Sequence, residues 1–238
     1  MKRSFHPNYF VGLRLPVTES PSFAAALIDI TSEITRRNCH IERMFIGHGK
    51  IHLTLALVEI DETSTDSIHA AIACFQSSST FLNQSFLASQ NTLSFSGINA
   101  FGKPNRRNVL WLEPDHSCPE KDSILRYAQH VSSLFVSSGM QSEASDILHG
   151  TIAKKSRKNN NIVIKESDYL GLDHYFATPL SLPICEIDLL KIGSTDPETG
   201  YYRSVSKLRI GSPLLALSRS EPLYSNHVEA VVVDSSDL

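Results

Sequence analysis

The 238-residue chain is 41% hydrophobic and 20% charged, the balance of an ordinary soluble globular protein, and its length allows one large domain or two small ones. A net charge of −3 excludes broad binding of duplex nucleic acid, which needs a basic surface, but leaves room for a small anionic ligand held by local cations. The four cysteines, Cys39, Cys74, Cys118 and Cys185, form no CxxC pair; zinc or redox motifs of that type are excluded, and free thiols in a reducing compartment are expected.

Met1 to Pro7 is basic, but no apolar stretch follows it, so no signal peptide is expected. No apolar run nears the roughly 20 residues that span a bilayer. A cytoplasmic monomer is the expectation, with the nucleus left open. Tyr9 to Leu15 reads as a first strand stopped by Pro16. Phe23, Leu27, Ile30 and Ile34 recur at helical spacing, giving an amphipathic helix over 22–37. Ile41 to Ile46 reads as a short strand and Gly47 to Lys50 as a turn.

Ile51 to Ile60 is the strand around which the chain is organised. Alternation puts Ile51, Leu53, Leu55 and Leu57 on one aliphatic face and His52, Thr54, Ala56 and Val58 on the other. A polar loop and a helix over 67–77 follow. Gln84 to Gln90 and Thr92 to Ile98 read as strands, Gly97 to Pro104 as a turn-rich loop, Asn108 to Glu113 as a strand, and 120–137 as a helix ended at Gly139.

A second strand, Ile147 to Ala153, repeats the spacing: His149, Thr151 and Ala153 share one face, Leu148, Gly150 and Ile152 the other. Lys154 falls opposite the histidine face and reads as a solvated charge; Lys155 falls on the histidine face but within a basic loop over 154–161. Ile162 to Leu172 reads as a short helix or a strand. Ile184 to Ile192 and Tyr201 to Ile210 form a hairpin about the turn at 195–200. From Gly211 the chain reads as a tail, with an edge strand at Val231 to Val233 or disorder.

This pattern predicts an α+β domain over 1–210. It has two lobes related by a pseudo-repeat, antiparallel sheets lining a central cleft, helices outside, and one His-x-Thr strand near the centre of each half of the chain. Of ten histidines, only His52 and His149 have this setting. Two imidazoles facing each other suit in-line chemistry at phosphorus: one neutral ring takes a proton from the attacking hydroxyl while the other, protonated, gives one to the leaving oxygen. Thr54 and Thr151 would donate to the non-bridging phosphate oxygens. The chemistry requires no metal and no cofactor, and no carboxylate cluster for two divalent ions is present.

At these residues the chain resembles the 2H phosphoesterase superfamily, the LigT-like proteins. The resemblance is carried by Asn8-Tyr9-Phe10, Ile51-His52-Leu53-Thr54-Leu55, Gly97-Ile98-Asn99-Ala100-Phe101, Leu148-His149-Gly150-Thr151 and Gly200-Tyr201-Tyr202-Arg203. Their order is that of a branch holding the central nucleotide-binding domain of an A-kinase anchoring protein and viral 2′,5′-phosphodiesterases. It covers about Asn8 to Ile210. It implies a two-lobed fold with the phosphate in the central cleft, His52 and His149 as acid and base, and Thr54 and Thr151 as phosphate ligands. It also implies cleavage of 2′,5′-linked oligoadenylate or a related small dinucleotide, with relatives that act on cyclic phosphates.

Tyr201, Tyr202 and Arg203 are candidates for substrate binding through stacking and phosphate pairing. Strand alternation lets only one of the two tyrosines line the cleft. Phe101 is a weaker stacking candidate, and Arg14, on the first strand, could reach a phosphate. The rival readings are a 2′,3′-cyclic nucleotide phosphodiesterase, a nucleotide-binding module without turnover, and an anchoring protein that recruits a partner through its tail.

Overall fold

The computed structural model describes residues 4–86, 91–156 and 161–210. Expectations for the end of the 84–90 strand, for part of the 154–161 loop and for the tail after 210 lie outside them. The elements are β1 (Tyr9–Arg14), α1 (Pro21–Arg37), β2 (His52–Glu59), α2 (Thr65–Ser77), α3 (Ser79–Phe86), β3 (Thr92–Lys103), β4 (Arg106–Pro114), α4 (Pro119–Ser137), β5 (Gln141–Ala144), β6 (Gly150–Lys154), β7 (Leu180–Pro183), β8 (Glu186–Thr195) and β9 (Tyr202–Arg209). The strands run in the order β7-β3-β4-β6-β2-β1-β8-β9, with β5 also on β2, and every pairing is antiparallel. The expected α+β class holds. The helices pack on one face of the sheet: α4 lies on β2 and β5, α2 on β9, and Phe23 of α1 meets Phe95 of β3 edge-on at 5.7 Å.

The sheet is nearly two sheets. β2 and β6 are joined by one residue pair, Leu53 with Gly150. On one side lie β2, β1, β8 and β9; on the other, β6, β4, β3 and β7. The lobes are therefore not the two halves of the chain. The His52 lobe is completed by the C-terminal β8–β9 hairpin, and the His149 lobe by the β3–β4 hairpin from the first half. The strand β1 explains part of this exchange. Its first five residues are all buried, so both edges and both faces need partners, and β8 supplies the second edge.

Several local expectations are corrected. Residues 39–44 form a 3-10 helix rather than a strand; Ile41 and Met44 are the buried pair, and a three-residue step fits a 3-10 turn, not alternation. Residues 79–86 form α3 where a strand was expected from Gln84, with Leu82 and Phe86 inward. The turn-rich stretch from Gly97 is the continuation of β3 to Lys103; the real turn follows Gly102, whose φ of +110° and crowding by the Arg106 carbonyl suit glycine alone. Residues 162–172 are neither helix nor strand but carry a 3-10 turn at Glu166–Asp168. β5 and β7 are additional short strands.

The most consequential correction concerns alternation in β2 and β6. In β2, Val11 pairs with Ala56 and Gly12 with Thr54, so Leu55 is an extra residue. In β6, Leu110 pairs with Ala153 and Trp111 with Thr151, so Ile152 is extra. Each His-x-Thr motif is thus followed by a β-bulge within Thr-Leu-Ala or Thr-Ile-Ala. A bulge bends the strand and reverses its facing from that point on. Ala56, Val58 and Ala153 accordingly lie in the core, not on the histidine face. Leu57 leaves the main core to pack beside Phe10, Leu190 and Tyr201. Beyond the bulges the strands part: β2 takes β5 as its neighbour from Ala56 onward, while Ala153 bridges to Phe45.

Candidate active site

The pairing of Leu53 with Gly150 decides the geometry. Each is the middle residue of its motif, so the antiparallel register sets His52 across from Thr151 and Thr54 across from His149. Leu53, Gly150, Leu55 and Ile152 are buried toward the helices, and the two histidines and two threonines share the opposite, half-buried face. His149 sits just before the first residue of β6 rather than within it. Gly150 leaves no void at this junction: a Cβ there would lie 3.4 Å from Leu15 and 3.5 Å from Leu112, ordinary contact distances.

Both imidazoles are held in the same way. His52 Nδ1–H donates to the carbonyl of Lys50 at 2.8 Å, and His149 Nδ1–H donates to the carbonyl of Ile147 at 3.0 Å. A carbonyl can only accept, so the proton of each neutral ring is fixed on Nδ1. Each Nε2 is left with its lone pair, able to take a proton when neutral and to give one when charged. Among the described residues no protein group engages either Nε2.

The surroundings are aromatic on both sides. His52 lies against Phe10 (ring centroids 5.0 Å), Tyr202 (5.1 Å) and Tyr201 (6.4 Å). His149 lies edge-on to Phe101 (5.0 Å) and Trp111 (5.9 Å), whose rings stack on each other at 5.2 Å. Burial disfavours the charged imidazole, and the carbonyl hydrogen bond favours it. At His52 burial wins: with added repulsion from His149 and Lys154, the ring falls to about 4. His149 is also lowered, by burial and then by Lys154. The Lys154 charge thus lowers both rings, and the His149 charge lowers His52 as well.

The structure brings most of the candidate residues to this face. Arg14 is opposite His52 in the β1–β2 register, lies over the Tyr201 ring at 5.4 Å and is 3.5 Å from Glu19. Both Tyr201 and Tyr202 pack on His52, against the expectation that only one could. Tyr201 precedes β9 in a bend, so strand alternation does not govern it. Phe101 is on β3 beside His149, not in a loop. Arg203 is not part of the cluster: it is exposed, and its charge acts on Tyr9 and Asp196 instead.

Trp111 was not singled out from the sequence, although the signal was present. Leu110 and Leu112 are core residues, so alternation alone sends Trp111 to the histidine face. Among the described residues, three buried donors at this face lack protein partners: Arg14 Nε and Tyr201 Oη near His52, and Trp111 Nε1 near His149. An unmet buried donor costs roughly 1–3 kcal/mol, a cost that a polar ligand or water removes. Among the described residues, no three His, Cys, Asp or Glu side chains gather in a way that could hold a metal ion, and no helix is long and apolar enough to cross a membrane.

Comparison with known families settles the relationship. The model of the AKAP7 2'5' RNA ligase-like domain matches residues 7–210. The chain belongs to this family. With it, the chain is a LigT-like 2H phosphoesterase, and its enzyme class is that of a phosphodiesterase. Among solved structures, TT0787 of Thermus thermophilus is similar in fold at 14% identity, covering 85% of this chain and 97% of that one with a TM-score of 0.53. Escherichia coli LigT complexed with NADP+ aligns at 16% identity over 86% and 98% of the two chains (TM-score 0.46). The same protein complexed with 3'-AMP aligns at 15% over 87% and 99% (0.44). A search of curated proteins found no match.

Proposed function

We propose that this phosphodiesterase cleaves a small 2′-linked oligonucleotide or dinucleotide, 2′,5′-oligoadenylate being the leading candidate, without a metal ion. The observation that carries the reading is the pairing of the two motifs, middle residue to middle residue, which leaves two unengaged Nε2 atoms and two threonine hydroxyls on one face. In a 2′,5′ linkage the adjacent ribose 3′ hydroxyl is free. One Nε2 takes its proton as the oxygen attacks phosphorus. The bond from phosphorus to O5′ breaks, and the other Nε2 protonates that leaving oxygen. The products are a 2′,3′-cyclic phosphate and a free 5′ hydroxyl. Thr54 and Thr151 donate to the non-bridging oxygens as charge builds there.

Both imidazoles are below their ordinary range in the free protein. The approach of an anionic phosphate favours the protonated form of the ring that must act as acid. The aromatic walls, Tyr202 on one side and Phe101 with Trp111 on the other, offer stacking surfaces for the two bases flanking the linkage.

The test is turnover in EDTA of 2′,5′-oligoadenylate, 3′,5′-linked RNA, 2′,3′-cyclic nucleotides and a 2′,5′-containing cyclic dinucleotide, repeated with His52→Ala and His149→Ala. Cleavage of a 2′,5′ linkage, lost in both variants, supports the reading. Turnover confined to 2′,3′-cyclic nucleotides replaces it with ring opening by the same pair. No turnover of any substrate, or activity that survives both substitutions, removes it.

A further inference from the structure

We propose that Lys154 is a further member of the active site, a cation that contacts the phosphate between the two histidines. The proposal rests on the phosphodiesterase reading above and names the source of positive charge that the two His-x-Thr motifs lack.

Simple alternation from His149 through Thr151 and Ala153 sends Lys154 to the far side of the sheet. The bulge at Ile152 cancels that step. Trp111 pairs with Thr151, Leu110 with Ala153 and Val109 with Lys154. Trp111 and Val109 are two apart on an unbroken stretch of β4, so they share a face, and residues paired across an antiparallel ladder point the same way. Lys154 therefore shares the face of Thr151, His149 and Trp111. Ala153, which the bulge turns inward, is fully buried, while Lys154 is exposed. The charge of Lys154 reaches both imidazoles.

The other charged and titratable groups facing the histidines are engaged or shielded. Arg14 on β1 pairs with Glu19 at 3.5 Å. Glu113, on the histidine face of β4, lies 3.4 Å from His116. Asp188 of β8 is buried, accepts from Ser204 at 2.7 Å and lies 3.8 Å from Lys207. The Tyr201 and Tyr202 phenols are held neutral by burial. Among the described residues no carboxylate lies within ion-pair distance of Lys154. A lysine on a flexible stem, unpaired and beside two neutral acid–base groups, is suited to a phosphate oxygen whose charge grows in the transition state.

The experiment uses the full chain, with Lys154→Met and Lys154→Arg compared with the parent. Two quantities are read: kcat/KM against pH on the substrate the parent turns over, and the NMR titration of the His52 and His149 ring resonances in the free protein. Loss of the cation removes repulsion from each imidazolium, so both rings should titrate a few tenths of a pH unit higher in Lys154→Met. Both limbs of the pH–rate profile should move the same way, and kcat/KM should fall about ten- to a hundredfold. Lys154→Arg should keep the parent's titrations and most of its activity, and an unchanged Tm should show that neither variant disturbs the fold. Parent-like titrations and rate in Lys154→Met would overturn the inference while leaving the phosphodiesterase standing. Shifted titrations with no rate loss would reduce Lys154 to a surface charge near the cleft. A parent that turns over none of the substrates would remove the reading of function and the catalytic role of Lys154 with it.

Discussion

The two motif strands are alike in sequence, register, bulge and backbone anchoring, yet their histidines occupy different environments. His52 lies under three aromatic rings contributed by β1 and the start of β9 and is pressed to about 4. His149 has two rings beside it, stands just outside its strand, and is lowered less. A pseudo-symmetric frame can thus carry two groups of identical chemistry and different proton affinity, and the difference comes from neighbours supplied by β1 and the exchanged hairpins rather than from the motifs. In the free protein the ring at about 4 stays neutral well into the acidic range, and burial holds His149 in the same direction.

The sharpest way to break the pair is to delete either ring. His52→Ala and His149→Ala should each lower kcat/KM by about 10²–10⁴-fold, the usual worth of a positioned acid or base. The double variant should lose little more than the worse single one, because the rings act as a unit. A product of the two single effects in the double variant would show that they act separately.

Next in size is the pH dependence of stability, which should separate the two sites. The folded-state value of His52 is depressed from 6.5 to about 4, so its contribution is complete above pH 6.5 and is lost as pH falls toward 4, where the unfolded chain accepts a proton the folded chain refuses. The loss is about 3 kcal/mol across that window. Urea unfolding at several pH values should show this slope in the parent, show it weakened in His52→Gln, and show it largely retained in His149→Gln. Equal slopes in both variants would mean that the two environments do not differ as described.

How much of this was legible in the residues can be judged on the same strands. Alternation found β1, β2, β4, β8 and β9 and set His52 beside Thr54 because the polar positions are few and well separated. It missed both bulges because the residues just after each threonine are apolar whichever way they point. Leu55-Ala56-Leu57-Val58 reads equally well in either frame, so a one-residue slip leaves no mark on composition. The error at Lys154 is the direct result. β5, Gln-Ser-Glu-Ala, is polar and gives no strand signal on its own; it pairs because β2 has a vacant edge beyond its bulge. The exchange of hairpins between lobes was equally invisible, since it depends on which edges remain open once the nearest partners have paired. Tyr201 joined Tyr202 at the site because a bend, not a strand, carries it there.

The next prediction probes the packing that makes the His52 side tighter. A Cβ on Gly12 would lie 2.9 Å from both Leu190 and the Phe10 ring, and Phe10 is the ring that lies against His52. Gly12→Ala should cost about 1–2 kcal/mol by forcing these side chains apart, with a lower Tm and a rise in the His52 titration as its cover loosens. The smallest effect is expected on the other side of the cleft. Gly150→Ala fits at contact distance and should leave stability unchanged or raise it by up to about 1 kcal/mol through the unfolded chain, with activity intact. A large loss there would mean that the strands around the Leu53–Gly150 pair are closer than ordinary packing.

The hydrogen bonds from each Nδ1 to the carbonyl two residues earlier have a wider consequence. The partner of each motif histidine is main chain, supplied by Lys50 and Ile147, and any amino acid would supply the same oxygen. The protonation geometry of both rings is therefore inherited with the backbone path, not with a supporting carboxylate that mutation could remove. Cleft walls and loops can drift to accommodate new substrates while both rings keep their tautomer, which makes this arrangement a durable starting point for divergence of specificity.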